Sequence, residues 1–416
     1  MDIFKIIKKI SLLHSVSTET PTCYKLTKKL IHALPIDWSN SDLRILDPAC
    51  GRGNFLLAIV EILQQHGHSN ITIANMIYGC DINKVQSSIA KKCLFLALGM
   101  EPRVYCEDSL TKVWDMKFDI VIGNPPYDKE GEGRAEKLWP KFVEKSFEFL
   151  KEGGYCALVT PTSWTSGSKN IRKGSTGVLH DVFHKWDVKH VDLDCSKYFP
   201  SVSVPIGYFV AQKIPNTGNT TLGGMNINLR NFDILPSNLE NFIPMTGILD
   251  KVFKAKTFEV HSFTGAGAKR NTGEDEPTAS KTVKTYVRGG NLHTVYYAYF
   301  DSVLNPKCAD KRKVVMPISG AEKWMPFVDT IGVPICLSSY VIYLADTDTY
   351  DGVISVFNSK LFKFLIEKYR TSGFAQVAIL KKIPHFDMSR IWTDVEIYAK
   401  MNLIPEEIDL IEVSIK

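Results

Sequence analysis

The residues whose types and order carry the most chemistry are Gly123-Asn124-Pro125-Pro126-Tyr127. Two prolines stiffen a loop and remove backbone donors. That leaves the Asn124 side-chain oxygen and the Pro125 carbonyl as acceptors beside an aromatic ring. An aromatic amine such as the N6 group of adenine needs such a site, because its lone pair is delocalised into the ring. Two acceptors on its two hydrogens pull the nitrogen toward tetrahedral geometry. The freed pair can then attack a sulfonium methyl, by alignment and electrostatic preorganisation rather than by a strong base. Tyr127 offers a face for stacking, and a base in a duplex must be flipped out to reach such a loop. The competing interpretation is a plain Pro-Pro loop with an Asn cap. The β-type run before it and the acids upstream of it argue against that.

Those acids lie at the ends of successive β-type runs. In RILDPACGRGNF (44–55) a strand ends at Asp47, a tight turn uses Gly51 and Gly53, and a helix starts at Asn54. Glycines there let a ligand approach the backbone, at the place where a doubly wound sheet binds its cofactor. Leu56 stands where a dinucleotide fingerprint wants a small residue, and no lysine follows as in a phosphate-binding loop. Asp47 therefore suits the ammonium of an amino-acid moiety. YGCDIN (78–83) places Asp81 to bind two ribose hydroxyls, and EDSL (107–110) places Asp108 to accept from an adenine amino group. Each acid alone reads equally well as a cap; three at consecutive strand ends are harder to explain that way.

The elements that position these residues follow from alternation. Strands are predicted at 44–47, 76–81, 103–107, 118–122, 155–160, 188–193 and 207–212. Helices are predicted at 54–66, 83–98, 135–151 and 176–186. Strands regularly separated by helices imply an α/β doubly wound sheet. The first five runs are nearly continuously apolar, so they should be parallel and buried. The last two are joined by too little chain for a crossover helix and should pair antiparallel. Residues 1–215 form this first domain. The Gly-, Asn- and Thr-rich stretch 216–224 reads as a linker, and 225–416 as a second, mixed α+β domain.

Bulk properties set limits. The chain has 416 residues, 44% hydrophobic and 23% charged, with a formal net charge of +5, which permits a polyanionic partner without demanding one. Nine cysteines occur with no CxxC spacing, which points to a reducing cytoplasm rather than a disulfide framework. Lys5, Lys8 and Lys9 interrupt the apolar start as no secretory signal would. Ile3, Ile6, Ile7 and Ile10 instead share one face of an amphipathic helix. No apolar run approaches the ~20 residues of a membrane span.

With these motifs in hand, the chain resembles the γ-class adenine-N6 DNA methyltransferases, especially the TaqI and Eco57I-like group. DPACGRGNF looks like motif I, YGCDIN motif II, EDSL motif III and GNPPY motif IV. SVSTETPTCYKLTKKL (15–30) is similar to motif X, and LWPKFVEKSFEFLKEGGYCALVTPTSW (138–164) to the helix and strand after motif IV. The resemblance implies a class I methyltransferase fold of Rossmann type, S-adenosyl-L-methionine as cofactor and base flipping. It assigns cofactor contacts to Thr20, Asp47, Ala49, Gly51, Gly53, Phe55, Asp81, Ile82, Asp108, Asn124 and Pro126. Catalytic roles fall to Asn124, Pro125, Pro126 and Tyr127. KYFPSVSVPIGYFV (197–210) resembles motif VIII, whose aromatic sandwiches the flipped base. That role is carried to Phe199, with Tyr198 in reserve and core packing as the alternative. VFNSKLFKFLIEKYR (356–370) and ILKKIPHFD (379–387) are similar to the family's C-terminal target-recognition domain.

Double-stranded DNA is the partner this implies. Residues 251–325 hold 13 Lys or Arg against 7 Asp or Glu, interleaved with tyrosines. Lys269, Arg270, Arg288, Lys311, Arg312 and Lys313 are candidate phosphate contacts, although any one of them also suits a solvated surface. His180 and His184 form HDVFH, which lacks the glutamate and third ligand of a zinc protease, so no metal is expected. The chain is too short to add a nuclease to two such domains. It reads as a monomeric modification enzyme, freestanding or beside a separate restriction endonuclease. The alternatives are the same chemistry on an RNA adenine or a protein glutamine amide, and, more remotely, cytosine N4 or a catalytically dead DNA-binding protein.

Overall fold

The computed structural model describes residues 22–128, 136–166, 177–202, 204–232, 234–235, 242–263, 283–289, 295–300, 308, 310–317, 326–333, 335, 339–369 and 377–415. The expected N-terminal helix on Ile3, Ile6, Ile7 and Ile10 lies outside them, as do Thr20, Lys269 and Arg270. The chain divides into two compact units, Met1–Leu235 and Pro236–Lys416.

The first unit begins with α1 (Tyr24–His32), followed by β1 (Ile45–Asp47), α2 (Asn54–Gln65), α3 (Asn70–Met76) and β2 (Ile77–Cys80). Next come α4 (Lys84–Leu98), β3 (Arg103–Tyr105), β4 (Phe118–Gly123), α5 (Trp139–Phe149) and β5 (Leu150–Pro161). A π-helical turn at Leu179–Phe183 precedes β6 (Trp186–Asp192), β7 (Ile206–Pro215), β8 (Thr220–Leu222) and β9 (Met225–Ile227).

These strands form one nine-stranded sheet in the order β3-β2-β1-β4-β5-β7-β6-β8-β9. β1 to β5 are parallel, and β7 runs antiparallel to both β5 and β6. This is the predicted α/β fold, with the predicted hairpin of the last two long strands. Burial explains the parallel half: β1, β2 and most of β4 carry no exposed side chain, as strands covered on both faces require. Helix α2 is buried along nearly its whole length, from Phe55 to Val60 and at Ile62 and Leu63. It packs into one core cluster together with Leu26, Leu30 and Ile31 of α1.

The stretch read as a linker is not one. β8 lies within 216–224 and pairs parallel with β6, and β9 follows it back, so the sheet continues past residue 224. Thr220 and Leu222 are buried there. The Gly-rich composition belongs to the β8–β9 turn, where Gly223 and Gly224 both take positive φ. The change of unit comes instead between Leu235 and Pro236.

The second unit is mixed α+β. It holds helices at Phe242–Lys254, Tyr350–Phe357, Lys360–Lys368, Asp394–Lys400 and Pro405–Ser414. A four-stranded antiparallel sheet has the order β10-β15-β13-β14, from β10 (His261–Phe263), β13 (Lys313–Pro317), β14 (Phe327–Asp329) and β15 (Ser339–Tyr343). β11 (Val283–Gly289) and β12 (Val295–Phe300) form a separate hairpin. No helix among the described residues is long and apolar enough to cross a membrane.

Candidate active site

The C-terminal ends of β1 to β4 open into one cleft of about 1100 Å³ in the first unit. Asp47, Ala49, Gly51 and Phe55 line it from the first turn, and Asp81, Ile82 and Asp108 from the next two strand ends. Asn124, Pro125, Pro126 and Tyr127 line it from the loop after β4, and Phe199 from the segment before β7. The predicted residues are thus brought together, apart from two. Thr20 lies outside the described residues. Gly53 is absent from the lining and serves the packing of the helices instead. At φ 90° it starts α2, and a Cβ there would meet Ala90 of α4 at 3.4 Å.

The acids build the turn as well as the cleft. Asp47 is 1% exposed and its Oδ1 accepts the Ala49 N–H at 3.1 Å. Burial pushes its carboxyl well above the usual carboxylate range; the Ala49 N–H opposes this and the nearby Asp81 adds to it. Asp81 Oδ2 accepts from Gly51 N at 2.8 Å, and its Oδ1 accepts from Asn83 N at 2.8 Å. Burial raises this carboxyl too, against the pull of those two N–H groups. An ionised carboxylate has about four lone-pair sites, so Asp81 keeps acceptor capacity for a ligand. Asp108 Oδ1 accepts from Leu110 N at 2.9 Å. Next to it, the Ser109 hydroxyl donates to the Pro48 carbonyl and ties the third strand end to the first turn.

The catalytic loop is held by its neighbours. Asn124 Nδ2 donates to Thr22 Oγ1 at 2.9 Å, while its Oδ1 is buried without a partner. Pro125 and Pro126 bring no N–H that could satisfy that oxygen from within the loop. The Tyr127 hydroxyl is likewise buried and unpartnered. Burial drives its pKa upward, which Asn124 beside it partly offsets, although no hydrogen bond of acceptable geometry joins the two. The loop's exit is fixed to α5: Leu138 N donates to the Tyr127 carbonyl at 2.9 Å, and Lys137 pairs with Asp128 at 2.8 Å. Phe199 is 1% exposed, so it serves the core and the cleft wall at once.

Sequence reasoning missed Thr22 and Asn54. Asn54 Nδ2 donates to the Thr22 carbonyl at 2.9 Å, and both residues line the cleft. Asn54 stands inside motif I and was open to notice. Thr22 lies inside the stretch similar to motif X, but nothing in that stretch points to its partner Asn124, 102 positions away.

The basic candidates behave differently from one another. Lys313 must be corrected: it is fully buried and paired with Asp329 in the second unit's sheet, so it cannot reach a phosphate. It stands on a stretch of β13 that is buried on both faces, and its register partner on β14 is Asp329. Arg312 donates to the carbonyls of Ala345 and Asp348. Lys311 is exposed, with its ammonium 4.7 Å from the Tyr343 ring centroid. Arg288 lies on β11, its side chain outside the described residues. His180 and His184 stack edge to face at 4.7 Å, and His184 Nε2 lies 3.2 Å from the Phe232 carbonyl.

Comparison with known proteins agrees with this geometry. The model of the Eco57I restriction-modification methylase family matches residues 101–182, from β3 across the catalytic loop to β5 and beyond. The chain is 33% identical over 118 residues to the type I restriction enzyme MjaIX methylase subunit of Methanocaldococcus jannaschii, a match covering 28% of this chain and 20% of that one. It is 27% identical over 169 residues to an uncharacterized adenine-specific methylase of Mycoplasma pneumoniae, covering 37% and 38% of the two chains. The matches thus span well under half the length of these relatives. In backbone, a nuclease-deletion mutant of the type ISP restriction-modification enzyme LlaGI, in complex with a DNA substrate mimic, superposes with a TM-score of 0.59 at 11% identity, over 92% of this chain and 55% of that one. That likeness shows a shared fold. The segment that runs through the proline loop, residues 101–182, is thus what this chain has in common with the Eco57I restriction-modification methylase family.

Proposed function

We propose that the protein is an S-adenosylmethionine-dependent DNA methyltransferase that modifies adenine at N6. The observation that carries this reading is the unpartnered, buried Oδ1 of Asn124 in a proline-held loop, in the same cleft as Asp47, Asp81 and Asp108. A buried acceptor without a donor costs about 1–3 kcal/mol. It is kept where a ligand will supply the donor.

The residues fit the cofactor. Asp81 has acceptor capacity for ribose hydroxyls, Asp108 for an adenine amino group, and Gly51 keeps the turn free of a side chain. When bound, S-adenosylmethionine supplies an electrophilic methyl group. Asn124 Oδ1 and the Pro125 carbonyl accept the two hydrogens of the target amine. Tyr127 and Phe199 present ring surface from the cleft wall to the base. A paired base cannot enter this cleft, so the target nucleotide leaves the stack. The proton can depart after transfer, so the step needs no strong base.

Double-stranded DNA as partner, a separate restriction endonuclease and a monomeric state all belong to this proposal. Its test is methylome sequencing of cells producing the wild type or Asn124→Ala. The wild type should leave N6-methyladenine in one short sequence context, and the variant none. Label appearing on RNA or protein while DNA stays unmodified would overturn it.

A further inference from the structure

We propose that Thr22 is a positioning residue that anchors the Asn124 carboxamide at the cleft wall, with its oxygen left for the substrate amine. This rests on the functional reading above. An asparagine amide can turn by half a rotation and exchange its two ends with little change of shape. In this loop the two orientations are not equivalent. With Oδ1 free, Asn124 accepts from an amine. With Nδ2 free, it confronts donors with donors.

The structure shows the first orientation, with one hydroxyl as the anchor; a hydroxyl can donate as well as accept, so it holds the carboxamide in place rather than selecting its end. Nδ2 of Asn124 donates to Thr22 Oγ1 at 2.9 Å, and Oδ1 has no partner among the described residues. Thr22 is itself pinned. It is 5% exposed, and its carbonyl accepts Asn54 Nδ2 at 2.9 Å. A carbonyl only accepts, so the orientation of Asn54 is settled, and its own Oδ1 is left buried and unpartnered. Two carboxamides from distant segments thus end their donors on one residue. Both keep an acceptor at the wall of the same cleft.

Thr22 reaches this place because α1, which begins two residues later, is fastened to the body of the unit. Lys28 and Tyr24 both bond Glu61 of α2, and Lys29 pairs with Asp192 at the end of β6. The segment outside the sheet is therefore braced at three side chains. The hydroxyl is presented from a fixed frame, as positioning within a fraction of an ångström requires.

The experiment uses the full chain with duplex DNA carrying its target. Thr22→Val keeps the shape and removes the hydroxyl. It should lower the single-turnover rate at saturating cofactor and DNA on the order of tenfold or more, while cofactor affinity by calorimetry stays within about twofold. Thr22→Ser should restore the rate. A second measurement needs no variant of Thr22. With selectively ¹⁵N-labelled asparagine, the Asn124 side-chain amide, assigned by its loss in Asn124→Asp, should exchange its protons slowly in the wild type. Fast exchange of that amide overturns the proposal, as does wild-type turnover by Thr22→Val or a loss that Thr22→Ser fails to repair. If wild-type protein never methylates DNA adenine, the functional reading falls while the amide exchange still decides the role of Thr22.

Discussion

Gly123 and Asp47 end neighbouring strands, and a Cβ built on Gly123 would stand 2.5 Å from Asp47 Oδ1. The residue before Asn124 thus has no side chain because the buried acid of the first turn fills that space. Gly123→Ala should destabilise the protein by about 1–3 kcal/mol through overpacking. It should also weaken cofactor binding, since Asp47 and the turn it braces must move. Urea denaturation and calorimetry check the two effects; a variant with unchanged midpoint and affinity would contradict the contact.

Asp47 also gives a pH signature. Its folded carboxyl is raised well above 3.8 by burial. Such a group contributes stability that is complete below the unfolded pKa and is lost as pH rises through the folded one. Asp47→Asn removes that titration. The urea midpoint of the variant should therefore gain on the wild type as pH climbs from 3.8 toward neutrality. A difference that stays constant over that window would show that Asp47 is not desolvated.

Lys313 and Asp329 predict a stability effect where the sequence suggested a binding one. Both are buried, and Asp329 Oδ1 also accepts the N–H groups of Ile331 and Gly332. Lys313→Met leaves that carboxylate without its counter-charge and should cost about 3–5 kcal/mol. Chemical denaturation reads this directly. A variant as stable as the wild type but with weaker DNA binding would reinstate Lys313 as a phosphate contact.

Tyr127 separates ring from hydroxyl. Because the hydroxyl is buried with no partner, Tyr127→Phe should leave stability unchanged or raise it by about 1 kcal/mol. Methylation should fall only modestly, since the stacking face remains. Tyr127→Ala should remove most of the activity. Equal losses in the two variants would mean that the hydroxyl, not the face, serves the substrate.

Much of this was legible in the chain itself. The three acids and the NPPY loop announce themselves because each lies at the end of an apolar run, and a parallel sheet gathers such ends at one edge. The strands β1 to β7 follow from the same texture. The last two of that sheet do not. β8 has three residues in a polar, glycine-rich stretch, and its strand character comes from pairing with β6 rather than from its own composition. Helix α3 escaped for a similar reason, since seven residues hold too little periodicity to read. Lys313 misled because charge on a strand looks solvent-facing until its buried partner is known. Thr22 stood inside the motif X-like stretch, yet its partner could not be read, because no local pattern records a hydrogen bond across 102 positions.

The way α1 is fastened has a practical consequence for anyone handling this protein. The sheet from β1 onward draws its order from its own strands, yet one wall of the cleft comes from Thr22, ahead of all of them. Trimming the chain through Thr22 but short of α1, whose Leu26, Leu30 and Ile31 belong to the core, would therefore yield material that looks well folded by circular dichroism and is catalytically poor. Affinity tags and fusion partners are better tried first at the opposite terminus.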